Sequence, residues 1–509
     1  MATIVKSIGL KGLEGYEVRV EVQSLEGVEQ ISVIGLPDTS MKESKDRIRG
    51  ALNSVYADIS GRHLIVLFSP TEQKKSGPMS DLAMAIAVLK ETAQLATDIP
   101  QKTAFIGTLS LDGSIHETEG MLAAVMQAKQ LGYKHIYVPS EMKGIEALHD
   151  KGALIPVQHL QEVIDHLNGQ AILSFPPSTP MVKENVSSSP GYTNFSEIIG
   201  HEFPKRALMV AAAGGHHVLL SGPPGCGKSL LASAFPSIIP NMTEETMVDS
   251  FSLYQLAHES KALTSHAPYR HPHHSASSVS LVGGGTVPKP GEVSLAHGGV
   301  LFLDEMSEFP KKTLDMLRQP LEAGKVTISR VSGTVTYPAR FIMIGATNPC
   351  PCGHNGSRTN YCICTPKQVH SYKQRLSGPI LDRMDIHLQL NPITLTISTT
   401  QKPMSSDKMK EIVTQAREKQ YKRYNQPITN ATTSLDVLET TSPLNASLQE
   451  LLQTQSQIHH WSNRVQVNIL RTARTVADLD QEEDITEKAL LEAMSYRSLN
   501  TSTSSELIR

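Results

Sequence analysis

Long apolar runs are missing from this sequence: no stretch approaches the ~18 consecutive apolar residues that a membrane-crossing helix requires. Its opening, MATIVKSIGLKGLEGYEVRV, scatters charges and glycines where a secretory leader would carry an apolar block, so a cytoplasmic protein without a membrane partner is expected. Neither sign of charge dominates, with 47 Lys and Arg against 50 Asp and Glu and a net charge of -3. Any nucleic-acid contact must then be a local patch. Cysteines number only five, which excludes a disulfide framework, and no segment repeats at a fixed period.

What is present describes a soluble globular protein. Apolar residues make up 39% and charged residues 19% of 509, enough chain for about three domains at roughly 150 residues each. The Pro- and Ser-rich stretch FPPSTPMVKENVSSSPG lacks any apolar period and reads as an exposed linker, placed at 173–192. It separates a mixed α and β domain at 1–172 from an alternating strand and helix domain at 193–395. Residues 396–509 carry helical patterns, and the final TSTSSELIR reads as frayed.

In the first segment, Tyr16, Val18, Val20 and Val22 alternate with Glu17, Arg19 and Glu21, the period of a half-buried strand. Ser40 and Glu43 have capping-box spacing at the head of a helix, HLIVLF reads as a buried strand, and Asp81 as the N-cap of DLAMAIAVLK. In the middle segment, Val218–Leu220, Leu301–Leu303 and Phe341–Ile344 read as strands of a largely parallel sheet. In the last, NRVQVNILRTARTVADL forms a helix whose Val467, Leu470 and Ala473 or Arg474 share one face.

The strongest chemical signal is GPPGCGKS, which matches G-x-x-x-x-G-K-[ST] between a strand and a helix. Gly222, Pro223, Gly225 and Gly227 shape a loop whose N–H groups turn towards phosphate oxygens. Lys228 brings a point charge to the β and γ phosphates of ATP, Ser229 ligates Mg²⁺, and the helix adds its positive end. About 75 residues on, GGVLFLDE ends an apolar strand in Asp304, which suits Mg²⁺, and Glu305, which suits the polarisation of an attacking water. Alone, that would be a solvated strand end; beside a phosphate loop it completes a site. Asn348 ends the next strand, where it either opens a turn before Pro349 or orients the lytic water.

Four of the five cysteines, Cys350, Cys352, Cys362 and Cys364, form C-x-C-x₉-C-x-C with His354 nearby. Four thiolates at the two ends of one loop suit a tetrahedral structural Zn²⁺; reduced cysteines without a metal are the alternative. Cys226 has no assigned role. KVTISRVSGTVTYPAR reads as a hairpin, scaffold unless Lys325 and Arg330 meet phosphate. In YRHPHHSASSVSLVGGG, the trio His271, His273 and His274 has loop rather than metal spacing, and a solvated or channel-facing loop is expected.

With these motifs in view, 199–390 resembles the AAA+ ATPase of the magnesium-chelatase motor group. The whole chain resembles the bacterial ComM/YifB family, through IGLPDTS, AHGGVLFLDE, LRQPLEAGKVTISR, ATNPCPCG and SGPILDRMD. The resemblance implies an α/β multidomain protein with an AAA+ P-loop core and a C-terminal helical lid. It further implies a homo-hexamer with nucleotide between subunits, acting as a DNA helicase that drives branch migration in natural transformation on single-stranded, forked or branched DNA, with recombination proteins as further partners. Carried over, Lys228 and Ser229 match the Walker A positions, Asp304 and Glu305 Walker B, Asn348 the first sensor and Arg383 the arginine finger. Arg464 matches the second sensor, with Arg471 a competitor. The hairpin with Lys325 and Arg330 corresponds to a channel insert that contacts DNA, and the histidine stretch to a second insert near the pore.

The first domain resembles the proteolytic domain of Lon peptidases, an α+β fold, through IGTLSLDGSIHETEGMLAAVMQAKQLGYKHIYVP. Where that family places its nucleophilic Ser after Gly-Pro, this chain has Gly77, Pro78 and Met79, and the catalytic Lys position falls at Leu122. Neither side chain attacks a carbonyl or takes a proton, so an inactive domain is expected; a rearranged Ser80 and Lys75 pair is the alternative. Two rivals to the translocase remain at this point: a chelatase-type motor remodelling a protein partner, and a protease or non-catalytic scaffold.

Overall fold

The computed structural model describes residues 3–34, 39–70, 78–145, 148, 152–170, 192–259, 262–286, 288–330, 333–356, 361–392 and 403–497, with the side chains of 39–42 outside that description. The linker stretch and the side chain of Ser40, with its capping box, therefore lie outside the described residues, as do Lys75 and Gly77. The chain forms two compact units: Met1–Val186 with Glu244–Thr264 and Gly333–Tyr337, and Ser187–Thr243 with Ser265–Ser332 and Pro338–Arg509.

In the first unit the strands Thr3–Lys11, Glu14–Glu26, Arg62–Ser69 and Gln30–Ile34 follow one another across a sheet. Pairing is antiparallel except for the last pair, which is parallel. Val18, Val20 and Val22 are buried while Arg19 is exposed, as the alternation requires. The HLIVLF run is only half buried: Leu64, Val66 and Phe68 are buried and Ile65 and Leu67 only partly so. Asp81 is not an N-cap. It is the first residue of the helix Asp81–Glu91, after Ser80, and is buried with its carboxylate taken by Arg47 Nε at 2.9 Å. A second, parallel sheet joins Thr103–Phe105, His135–Pro139 and Leu154–Val157. Met79 and Leu122 are buried in one apolar cluster with Ile8, Ile106, Val248 and Phe251.

The second unit is built on a five-stranded, wholly parallel sheet. Its strands run Tyr269–Arg270, Val300–Leu303, Ile342–Thr347, Val218–Ser221 and Ile386–Gln389 in spatial order. Such strands are buried on both faces, which is why VLFL and IMIGAT read as continuous apolar runs rather than alternations. Helices close over the sheet, among them Glu202–Gly214 and Lys228–Ala234. The strand order makes the carboxyl ends of Val300–Leu303, Ile342–Thr347 and Val218–Ser221 neighbours, where open α/β sheets bind ligands.

The described C-terminal part is helical: Ser406–Tyr424, Leu435–Thr441, Ala446–His459, Asn463–Leu479 and Glu487–Ser495. Ser405, Ser434, Asn445, Ser462 and Thr486 each cap the following helix with a side-chain acceptor. The helix Asn463–Leu479 buries a different stripe from the one expected: Val465, Ile469, Thr472 and Val476 are buried and Val467 and Leu470 only partly so. It packs against Ser406–Tyr424, Glu202–Gly214 and Glu487–Ser495, so from Thr472 to Leu479 every side chain is covered. That enclosure includes Arg474, paired with Asp478 at 2.9 Å, while Arg423 bonds the same carboxylate.

Candidate functional site

Three strand ends converge on one cluster. The loop from Gly222 to Gly227 leaves the strand Val218–Ser221 and enters the helix Lys228–Ala234. Gly225 and Gly227 stand at φ +75° and +88°, backbone that L side chains rarely adopt. A Cβ on Gly222 would lie 2.5 Å from the Leu390 carbonyl oxygen and 2.8 Å from Cys226 Sγ, so only glycine fits there.

Lys228 Nζ donates to the carbonyl oxygens of Gly222 (2.7 Å) and Pro223 (3.0 Å) and to Asn348 Oδ1 (3.0 Å). Burial lowers its pKa from the ordinary lysine value, against the opposing pull of Cys226, Asp304 and Glu305. Ser229 Oγ donates to Asp304 Oδ2 at 2.8 Å. The pairs named from sequence thus meet, across separations of 120 and 75 residues. The set fits a magnesium nucleotide: an inward-facing ammonium, and a hydroxyl and a carboxylate at the hydrogen-bonded spacing of two ligands to one hard cation.

Glu305 adopts φ +48°, the left-handed region, so the chain turns sharply after Asp304. Its backbone N–H donates to Asp304 Oδ1 at 2.9 Å, and its carboxylate Oε2 lies 3.5 Å from His274 Nδ1. His274 had no role in the sequence reading; only its place in a histidine-rich stretch marked it.

Arg383 and Arg464 share a partner that was also missed. Arg383 Nη2 lies 2.5 Å from Glu322 Oε2 and Arg464 Nη2 3.2 Å from Oε1. The Arg383 hydrogen bond, with the charges of both guanidinium groups behind it, holds the Glu322 carboxyl below the usual carboxylate range. Arg471 stands apart from this pair, donating to the Thr433 carbonyl. Lys325–Arg330 and Gly333–Pro338 are both strands, and residues 331–332 lie outside the described residues. Lys325 and Arg330 are exposed, and Arg330 Nε donates to the Gly285 carbonyl at 3.2 Å.

The four cysteine sulfurs of the 350–364 loop lie within 4.8 Å of one another. Cys350 Sγ is 3.3 Å from Cys352 Sγ and 3.8 Å from Cys362 Sγ, close to the ~3.8 Å edge of a tetrahedron with Zn–S bonds of about 2.3 Å. The Asn355 N–H donates to Cys350 Sγ at 3.2 Å. All four are free of disulfides, and the donor set fits zinc. His354 is not part of it.

Models of the magnesium chelatase subunit ChlI match residues 194–397, of subunit ChlI of Mg-chelatase residues 20–142, and of the ChlI C-terminal region residues 403–497. An uncharacterised Escherichia coli protein, YifB, is 36% identical across 98% of this chain and 97% of its own length. The Haemophilus influenzae competence protein ComM is 36% identical across 97% of each. The chain belongs to the ComM/YifB family. The magnesium-chelatase 67 kDa subunit of Chlorobaculum parvum is 27% identical over only 30% of this chain and 23% of its own. That relative matches only part of this chain, whereas the likeness to YifB and ComM runs through both units. Among the described residues no helix is long and apolar enough to cross a membrane.

Proposed function

We propose that this member of the ComM/YifB family is an ATP hydrolase of the AAA+ class that forms a ring, a hexamer by family likeness, and translocates DNA, promoting branch migration as a competence helicase. The observation that carries the proposal is the joining of Ser229 to Asp304 and of Lys228 to Asn348 at adjacent strand ends. A bound magnesium nucleotide would supply a phosphoanhydride and an electrophilic γ-phosphorus. The chain's own residues do the rest. The loop N–H groups and Lys228 cradle the phosphates, Ser229 and Asp304 hold the Mg²⁺, Glu305 takes a proton from water and Asn348 orients that water.

Arg383 acts on the nucleotide of the adjoining subunit. Arg464, tied to the same Glu322, is the second sensor, because Arg471 is spent on a backbone carbonyl. Lys325 and Arg330 meet DNA phosphate. Residues 193–395 are the ATPase core, 396–509 its helical lid, 173–192 a linker and 1–172 an inactive Lon-like domain, in which apolar packing of Met79 and Leu122 supports the loss of proteolysis. The four cysteines hold a structural zinc.

The test is ATPase activity and strand movement with forked or four-way DNA against no DNA. Stimulation, unwinding or migration, and binding that weakens steeply between low and physiological salt are expected. An ATPase indifferent to DNA and responsive to a protein partner would support the chelatase-type motor instead.

A further inference from the structure

The phosphate loop and the segment that opens the cysteine loop meet at three places. The strand Ile342–Thr347 lies beside Val218–Ser221 in parallel register, with Thr347 opposite Ser221, so the two segments leave the sheet side by side. Where the phosphate loop begins, the Gly222 N–H donates to the Thr347 carbonyl at 3.3 Å. Where it ends, Lys228 Nζ donates to Asn348 Oδ1 at 3.0 Å. Between these, a Cβ on Gly353 would lie 2.5 Å from Pro224 Cδ and 2.7 Å from its Cγ, so the Pro224 ring rests against the Gly353 backbone.

Both Asn348 and Gly353 sit next to cysteines of the quartet. Cys350, fully buried, is two residues beyond Asn348. Gly353 directly follows Cys352, takes φ +79° and donates its N–H to the Cys350 carbonyl at 2.9 Å, closing a turn. The other two sulfurs come from Cys362 and Cys364, and all four lie within 4.8 Å of one another. Ligation of one cation by all four would fix the turn at 350–353 to a segment about ten residues further on, removing backbone freedom that the turn otherwise keeps.

We propose that the cysteine quartet is a metal-dependent buttress of the phosphate loop: with zinc held by Cys350, Cys352, Cys362 and Cys364, Gly353 is fixed against Pro224 and Asn348 beside Lys228, and the loop binds a nucleoside triphosphate more tightly. A loop already shaped for phosphate loses less freedom on binding than one that the ligand must order. Gly353 is buried but Pro224 is exposed, so the support comes from one side and the coupling is small, about fivefold to tenfold in Kd. Such coupling is reciprocal. Bound nucleotide tightens zinc by the same factor.

The inference rests on the readings of Gly222–Ser229 as the nucleotide loop and of the quartet as a zinc site, and the experiment separates them. Binding of a fluorescent ATP analogue with Mg²⁺ is measured for the full chain with zinc, after a zinc-selective chelator under reducing conditions, and after zinc is restored. The same is done for Cys362→Ser, Pro224→Ala and Lys228→Ala, with far-UV circular dichroism as the check on folding. Zinc removal and Cys362→Ser should each raise Kd about fivefold to tenfold, and added zinc should restore the wild type but not Cys362→Ser. Pro224→Ala has no ring to rest on Gly353; it should keep its zinc, and its Kd should change about twofold or less when zinc is removed. A competing chelating dye should report zinc held about fivefold to tenfold more tightly with the ATP analogue bound, a readout that needs no variant and no zinc-free fold. A zinc affinity indifferent to nucleotide, or an unchanged Kd in zinc-free protein that keeps its dichroism, overturns the buttress. A full zinc effect in Pro224→Ala overturns the Gly353–Pro224 contact as its route. A wild-type chain that takes up no zinc overturns the metal reading, and wild-type nucleotide binding by Lys228→Ala overturns the reading of the loop itself.

Discussion

At the scale of single residues, the division of labour within the strand-end cluster sets distinct outcomes for neighbouring substitutions. Lys228 brings a positive charge to the loop, its Nζ donating to the Gly222 and Pro223 carbonyls and to Asn348 Oδ1. Lys228→Ala should lose both nucleotide affinity and turnover, seen as absent binding of a fluorescent ATP analogue. Glu305→Gln keeps the size and the left-handed turn but cannot take a proton. It should bind ATP normally and hydrolyse it about 10²-fold or more slowly. The motif residues were legible in the sequence because their chemistry demands fixed local spacing. Glu322 was not, since its partners Arg383 and Arg464 lie 61 and 142 residues away and no local pattern announces a carboxylate that will hold two arginines.

At the scale of elements, the 350–364 loop and the strands around the site carry further consequences. Four sulfurs within 4.8 Å without a metal would be four thiols competing for few donors; with Zn²⁺ each becomes a thiolate ligand. Cys352→Ser and Cys362→Ser should each lower zinc content well below one per chain and lower the melting temperature, while metal analysis of the wild type returns about one. One buried histidine and one half-buried histidine set a pH limit. Burial, with Arg340 beside one and Arg497 beside the other, pushes His297 and His387 down to about 4. Both stay neutral in the fold, whereas the unfolded chain takes up protons near pH 6.5. Stability is therefore full above about pH 6.5 and falls as pH drops towards about 4, by up to ~1.4 kcal/mol per pH unit per site. Thermal unfolding at pH 7.5 and 5.0 should show the drop, and His297→Asn should reduce it. The elements themselves were readable from periodicity, but details of burial and capping were not. The N-cap assigned to Asp81 failed because Arg47, far off in sequence, takes the carboxylate. The face assigned to the helix Asn463–Leu479 failed because three helices enclose it, so burial there follows neighbours rather than hydrophobicity.

At the scale of the whole molecule, the proposed site is incomplete in a single chain, because Arg383 is expected to act on an adjoining subunit's nucleotide. Arg383→Ala should assemble normally and, mixed with wild type, lower ATPase activity more than in proportion to its share; loss of such an Arg costs about 10³ to 10⁵ in turnover at the interface it serves. Activity strictly proportional to wild-type content in the mixing series would count against a shared site. The sequence by itself determined the phosphate loop, the acidic strand end, the cysteine quartet and family membership, because each depends on residue types at short, rigid spacing or on likeness along the full length. Only the tertiary structure decided that Glu305 meets His274, that Arg383 and Arg464 share Glu322, and that Arg330 reaches Gly285. Those contacts join distant segments whose approach is set by sheet order and packing, and side chains of ordinary type carry no mark of the partner that folding will bring them.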